Sequence, residues 1–198
     1  MSIGHCGGSG ARLLVGRGGA GTLPGVRTLI LDPSSAGLDE LVERRRRSGL
    51  DRLDEMWDGV LHMVPAPSGE HADITYQLAV QLGALASAAG LFPALGGFNL
   101  GDSDENYRVP DGGLHRERLR GVWHPTAALV IEVVSPGDET REKLPFYAEH
   151  QVDELLIVDP TTQAVDWLVL DDGEYRPVQR SRLIDLGPEE LARGIDWP

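Results

Sequence analysis

The sequence predicts an α/β fold, a mixed sheet flanked by helices, and three stretches carry that prediction. Residues 127–134, "AALVIEVV", and 154–159, "ELLIVD", are short aliphatic runs with little polar alternation, the pattern of central strands covered on both faces. Residues 138–150 lie between them and read as a helix, so strand, helix and strand make a parallel crossover unit. Within residues 65–90, which precede both strands, Ile74, Leu78, Leu82 and Leu85 fall at helical spacing and Gly90 is placed to end the helix.

The other elements follow along the chain. Residues 1–26 hold nine glycines and few core-forming side chains, so 1–35 is expected to be a poorly structured arm ahead of one domain at 36–198. Within the arm, Gly16, Gly18 and Gly21 have the G-x-G-x-x-G spacing of a dinucleotide-binding turn. Such a turn must open a helix, and Pro24 and Gly25 oppose one, so the spacing is read as part of the arm. Residues 37–48 suggest a helix whose basic end, Arg44 to Arg47, suits a solvated C-terminus, with a DNA contact as the alternative. In 52–64, "WDG" separates two strand-like pieces as a hairpin turn. Short strands are expected at 91–98 and 106–110. Ser135 or Asp138 would cap the helix at 138–150. "VDWLVLDDGEYRPV" reads as an Asp-Gly hairpin, with Pro177 marking an edge strand. Trp57, Trp123, Trp167 and Trp197 are read as packing residues.

Composition narrows the function. The net charge is −13 and unevenly spread: residues 1–50 carry 7 arginines against 4 acidic residues, and 51–198 carry 11 basic against 27 acidic. A domain this acidic does not advertise a broad nucleic-acid surface, and it is compatible with a cation site. No stretch approaches the ~20 apolar residues that cross a bilayer. There is no secretory signal pattern. The single cysteine, Cys6, allows no internal disulfide. These features lead us to expect a cytoplasmic protein.

One carboxylate breaks the pattern of its strand. Glu132 sits among Leu129, Val130, Ile131, Val133 and Val134, where an unpaired charge costs several kcal/mol. A strand end reaching solvent, or a buried salt bridge, would explain it without function. Asp111, after a proline in "YRVPDGG", ends a short strand 21 residues earlier, a connection long enough to bring the two carboxylates together. Such a pair repels itself, and a divalent cation would stabilise it. Oxygen ligands alone suit Mg²⁺ or Mn²⁺ with several waters retained. Lys143 is the only lysine in the chain, the other 17 basic residues being arginines. In the first or second turn of the following helix it could reach a metal-bound water or a phosphate. A surface position there would tolerate its replacement without loss of folding.

The order "PD", "EVVSP", "REKLPFYAEHQVDELLIVDP" resembles the PD-(D/E)XK nuclease superfamily, and more closely its Uma-type restriction-endonuclease-like family. That pattern has a Glu four residues before a hairpin Gly, a His opening a helix, "PD", "EV-S-P", a displaced Lys and "VDP". Here these are Glu55, His71, Pro110-Asp111, Glu132, Lys143 and Asp159-Pro160. The resemblance covers roughly residues 37–180 and implies a restriction-endonuclease-like fold, a mixed central sheet flanked by helices. Two departures stand out: Val134 occupies the usual lysine position, so Lys143 must act from the helix, and "GGLHRERLRGVWH" follows "PD" in place of a simple apolar strand.

The resemblance implies a Mg²⁺- or Mn²⁺-dependent endonuclease acting on DNA, possible as a homodimer. Asp111 and Glu132 would bind the metal with the Val133 carbonyl, Glu55 would complete the acidic cluster, and Lys143 would orient the attacking water. His71 is read as a helix cap, with a phosphate contact as the alternative. His115, His124, Arg116, Arg118 and Arg120 form a basic stretch suited to a nucleic-acid backbone, or an exposed loop without a role. Two rival functions stay open: a catalytically silent binding or regulatory module on the same fold, and a hydrolase of small phosphorylated substrates.

Overall fold

The computed structural model describes residues 29–31, 39–137 and 139–198. Its elements run β1 (Leu29–Leu31), α1 (Asp39–Ser48), β2 (Glu55–Trp57), β3 (Val60–Met63), α2 (Gly69–Ala88), β4 (Phe92–Leu95), β5 (Asn99–Gly101) and β6 (Tyr107–Arg108). They continue with β7 (Gly112–His115), β8 (Trp123–His124), β9 (Leu129–Val133), a 3₁₀ turn (Thr140–Lys143), α3 (Leu144–Glu149), β10 (Glu154–Asp159), β11 (Ala164–Asp171), β12 (Glu174–Pro177) and α4 (Pro188–Gly194). The expected mixed α/β architecture is present, with its strands divided between two sheets. The smaller strands order as β1-β3-β2-β6-β5-β8, and the core strands as β12-β11-β10-β9-β7-β4.

The core sheet follows the predicted logic. β9 and β10 pair in parallel, Glu154 opposite Leu129, and the 3₁₀ turn and α3 make the crossover. One face of β9 sends Leu129, Ile131 and Val133 against Ile74, Leu78 and Leu82 of α2. The other packs Val130 with Phe146 and Tyr147 of α3. Glu132 shares that second face by strand alternation. Asp58 and Gly59 turn the β2–β3 hairpin, and Asp172 and Gly173 the β11–β12 hairpin, all four at positive φ as primed turns require.

β7 is a buried strand where the sequence suggested an irregular stretch after "PD". Its glycines explain the difference. A Cβ on Gly112 would lie 2.7 Å from Leu95 Cδ2, and one on Gly113 2.7 Å from the Leu129 carbonyl oxygen. A side chain at either place would push β7 off its neighbours, so the absence of one replaces the apolar signature of a core strand. The segment at 138–150 also differs. It opens as a 3₁₀ turn with Glu139 at its start and no side-chain cap, and α3 has Pro145 in its first turn. Proline has no N–H to donate there. Asp138 lies outside the described residues. So do the G-x-G-x-x-G spacing and Cys6. β1 falls inside the 1–35 segment read as an arm: Leu29, Ile30 and Leu31 pair with Met63, His62 and Leu61, which removes those three residues from it.

Helix α1 buries no residue of its own. Arg45 fastens it instead. Its guanidinium donates to both carboxylate oxygens of Asp54 and to the Leu50 and Val64 carbonyls. Asp54 is buried and also accepts the Val64 N–H. Removing one partner of such a pair strands the other charge. Arg45→Leu is expected to destabilise the protein by about 3 kcal/mol in urea unfolding. A change under ~1 kcal/mol would mean that the fork contributes little.

Candidate active site

Glu132 lies in the middle of β9 with 5% exposure. Its Oε1 accepts a hydrogen bond from the Tyr147 hydroxyl and one from Lys143 Nζ at 3.2 Å, while Oε2 has a longer contact with Lys143 at 3.5 Å. Glu55 begins β2 with 2% exposure. It accepts from the Val109 N–H at 2.8 Å and from Trp57 Nε1 at 2.7 Å, and Lys143 Nζ lies 2.8 Å from its Oε1. The ammonium therefore bridges two buried carboxylates. The expected surface position for Lys143 is incorrect: its side chain is 12% exposed, because the 3₁₀ turn draws it over the end of β9.

Asp111 sits one residue before β7, whose antiparallel register on β9 sets Gly112 opposite Ile131 and so brings Asp111 level with Glu132. Its Oδ2 accepts the Val133 N–H at 2.7 Å, and its Oδ1 lies 2.8 Å from His71 Nε2. The other nitrogen of His71 is 3.1 Å from Ser135 Oγ. His71 is thus not the cap of α2. Ser68 is, its side chain accepting the His71 N–H. The imidazole is freed to face the carboxylate across the cleft.

Asp111, Glu132, Glu55, Lys143, His71 and Val133 all line one cavity of about 320 Å³ between the start of α2 and the 135–143 segment. Burial pushes the Glu132 carboxyl up to about 8, with Asp111 and Glu55 adding to the rise and Lys143 and Tyr147 opposing it. Burial alone would lower Lys143, but Glu132 and Glu55 outweigh it and hold the ammonium charged. Burial, then Glu132, raises the Tyr147 hydroxyl well above its usual value, keeping it a donor.

The arginine stretch is not brought to this cavity. Arg116 pairs with Asp153 at 2.7 Å, Arg118 lies over the Phe92 ring, and Arg120 is exposed. His115 and His124 are buried beside Phe98. Burial lowers the His115 pKa to about 4, with His124 adding to the fall, and its Nε2 has no partner among the described residues. It is therefore neutral near pH 7 and contributes no charge to a basic loop.

A pH prediction follows. The unfolded chain takes up a proton at His115 near pH 6.5, which the folded protein resists until about pH 4. Its contribution is full above 6.5 and is lost as pH falls toward 4, by up to ~3 kcal/mol. Urea unfolding of His115→Leu should show a shallower acid loss than the wild type. Parallel pH curves would refute the assignment.

Three contacts escaped the sequence reading. Tyr147 lies four residues after Lys143, the spacing that aligns two side chains on one helix face. Trp57, read as packing, lies two residues after Glu55 on one strand face and supports it by a hydrogen bond. Glu154 opens the aliphatic run "ELLIVD". It is buried and accepts from Trp167, Ser181 and the Arg182 N–H, a fully satisfied structural carboxylate.

A family model described as "Putative restriction endonuclease", Uma2, matches residues 42–196. The chain belongs to the Uma2 family. Among solved structures it is similar to a "putative nuclease belonging to DUF820" from Anabaena variabilis ATCC 29413, with 15% identity and a TM-score of 0.59 over 73% of this chain and 92% of that one. At that identity the likeness shows a shared fold. Among curated proteins none matches. No described helix is long and apolar enough to cross a membrane. For this Uma2 chain the sequence motifs and the cavity coincide: Glu55, His71, Asp111, Glu132 and Lys143 come from five separate segments and line one cleft.

Among the described residues no three Asp, Glu, His or Cys side chains form a cluster that would hold a metal unaided. The donor chemistry still suits Mg²⁺ or Mn²⁺, which bind through one or two carboxylates, waters and substrate phosphate. Asp111 retains 25% side-chain exposure, and among the described residues Glu132 Oε2 makes only the one long contact with Lys143.

Proposed function

We propose that the cleft hydrolyses phosphodiester bonds in DNA with Mg²⁺ or Mn²⁺, as an endonuclease of the PD-(D/E)XK type. The supporting observation is the convergence of Asp111, Glu132 and Lys143 in one partly enclosed cleft. Asp111 and Glu132 would hold the cation, with Glu55 behind them. When bound, it would polarise the phosphate and lower the pKa of water. His71 fixes the Asp111 carboxylate from one side and the Val133 N–H from the other, so its direction is set before substrate arrives. Tyr147 does the same for Glu132. Lys143 supplies a compact charge beside both carboxylates, where it orients water and meets a phosphate oxygen.

One observation favours the rival binding or regulatory module: the Lys143 ammonium already satisfies Glu55 and Glu132 without a cation. Incubation of plasmid, single-stranded DNA and RNA with Mg²⁺ or Mn²⁺ separates the readings. Divalent-dependent nicking that Asp111→Asn abolishes supports the nuclease. No cleavage of any of these substrates leaves the silent module and the hydrolase of small phosphorylated substrates.

A further inference from the structure

A second cavity of about 430 Å³ adjoins the catalytic cleft and shares wall residues Leu53, Val64, Ala66, Gly96, Gly97 and Val109 with it. The two are one trough. Its walls are mostly apolar, and Gly96 and Gly97, both at positive φ, form part of its lining as bare backbone. A Cβ at Gly96 would meet nothing within 4 Å, so this wall borders open space.

The far end of the trough is formed by Gly49, Leu50 and Arg52, immediately after α1. The Gly49 N–H donates to the Arg46 carbonyl and the Leu50 N–H to that of Arg45, which turns the chain from the last turn of α1 into the trough wall. The last two turns of α1 carry Arg44, Arg46 and Arg47, all exposed, as is Arg52; Arg46 shares its surface with Asp39, Glu40 and Glu43, and Arg52 is the one of the four that lines the trough itself. Arginines elsewhere divide between paired and unpaired. Arg116, Arg141, Arg176 and Arg180 each pair with an aspartate, whereas Arg118, Arg120, Arg182 and Arg193 have no carboxylate within ion-pair distance among the described residues. Arg44, Arg46, Arg47 and Arg52 also have no carboxylate within ion-pair distance among the described residues. Four unpaired cations thus gather within nine positions of a chain whose net charge is −13. Arg45, the one member of the run with a partner, points inward and anchors the helix beside the trough.

We infer that a single strand of nucleic acid runs from the catalytic carboxylates along this trough and is gripped at its far end by Arg44, Arg46, Arg47 and Arg52. The proposal rests on the nuclease reading and names the face that reading lacked, since the cleft itself holds no arginine and the 116–120 stretch faces elsewhere. Bases would pack on the apolar walls. The phosphates beyond the acidic centre would meet unpaired guanidinium groups, the interaction that supplies sequence-independent affinity.

The test is fluorescence anisotropy with labelled oligothymidylate in EDTA, where binding is read without cleavage, across a salt series. Wild-type protein should bind with a linear dependence of log K on log salt. The combined Arg44→Gln, Arg46→Gln, Arg47→Gln, Arg52→Gln variant should reduce that slope by roughly 2–3, near 0.7 per lost contact. Its thermal unfolding should match wild type, since none of these side chains is buried or paired. Arg52→Gln alone should take about a quarter of the effect. A variant altered at Arg116, Arg118 and Arg120 should keep the wild-type slope. An unchanged slope in the quadruple variant, absence of binding by wild type, or tighter binding of the matching duplex overturns the inference. Cleavage with Mn²⁺ is scored separately. A protein that cleaves without needing these arginines sinks the track and spares the nuclease reading; one that binds through them and never cleaves does the reverse.

Discussion

Replacing Lys143 with alanine is expected to destabilise the divalent-free protein by about 3–5 kcal/mol at mildly alkaline pH. The sequence alone pointed to a tolerant helix surface. The structure instead puts the ammonium 2.8 Å from Glu55 and 3.2 Å from Glu132, carboxylates with 2% and 6% side-chain exposure. Without it two buried carboxyls face each other with no cation between them, supported by Trp57, Tyr147 and the Val109 N–H. The penalty should shrink as pH falls, because in the variant the Glu132 carboxyl can hold a proton that its unfolded counterpart releases. Added Mn²⁺ should recover part of it. Lys143→Arg keeps the charge and should lose less stability. It should still cleave on the order of a hundredfold more slowly, because a planar guanidinium cannot occupy the ammonium's place and a displacement of ~1 Å costs about that much. Urea unfolding and single-turnover cleavage measure the two effects. An alanine variant as stable as wild type would remove the ion pair from the account, and an arginine variant with normal cleavage would make Lys143 a generic cation.

The sequence made legible what periodicity and local chemistry control. The aliphatic runs of β9 and β10 and the spacing of Ile74, Leu78 and Leu82 set the core sheet and its covering helix. Both primed hairpins were visible in their Asp-Gly pairs. Glu132 stood out because its neighbours are all apolar. The second sheet was legible only in its β2–β3 hairpin and the short strand at 106–110, since β5 and β8 span only two or three residues, too few for a period to register. β7 hid because close packing selected glycine in place of branched side chains. Partnerships across long sequence separations were equally hidden: nothing local to His71 says that its imidazole meets Asp111, 40 positions away. The run from Arg44 to Arg47 looked like one solvated block, yet Arg45 points inward to Asp54 while its three neighbours stay exposed, with no ion pair among the described residues.

Glu132→Gln should separate the stability of this centre from its chemistry. In the folded protein burial raises the carboxyl to about 8 from an ordinary 4.5, so between those values the native state holds a proton that the unfolded chain has released. Ionisation in this window works against folding. Wild-type stability without divalent cations should therefore fall as pH rises from about 5 to about 8. Glutamine keeps an oxygen to accept from Tyr147 and leaves Lys143 with Glu55, so the variant should show a flatter pH profile and at pH 8 be at least as stable as wild type. Its response to Mn²⁺ should be the opposite. The cation favours the ionised carboxylate, so it should raise the wild-type melting temperature more at pH 8 than at pH 6, and raise that of the variant little at either. Cleavage should fall by more than about a hundredfold, since altering even an outer supporting group of a metal site costs 10–100-fold. A variant that is less stable than wild type at pH 8, yet gains equally from Mn²⁺, would show that Glu132 is a structural ion-pair partner and that the cation binds elsewhere.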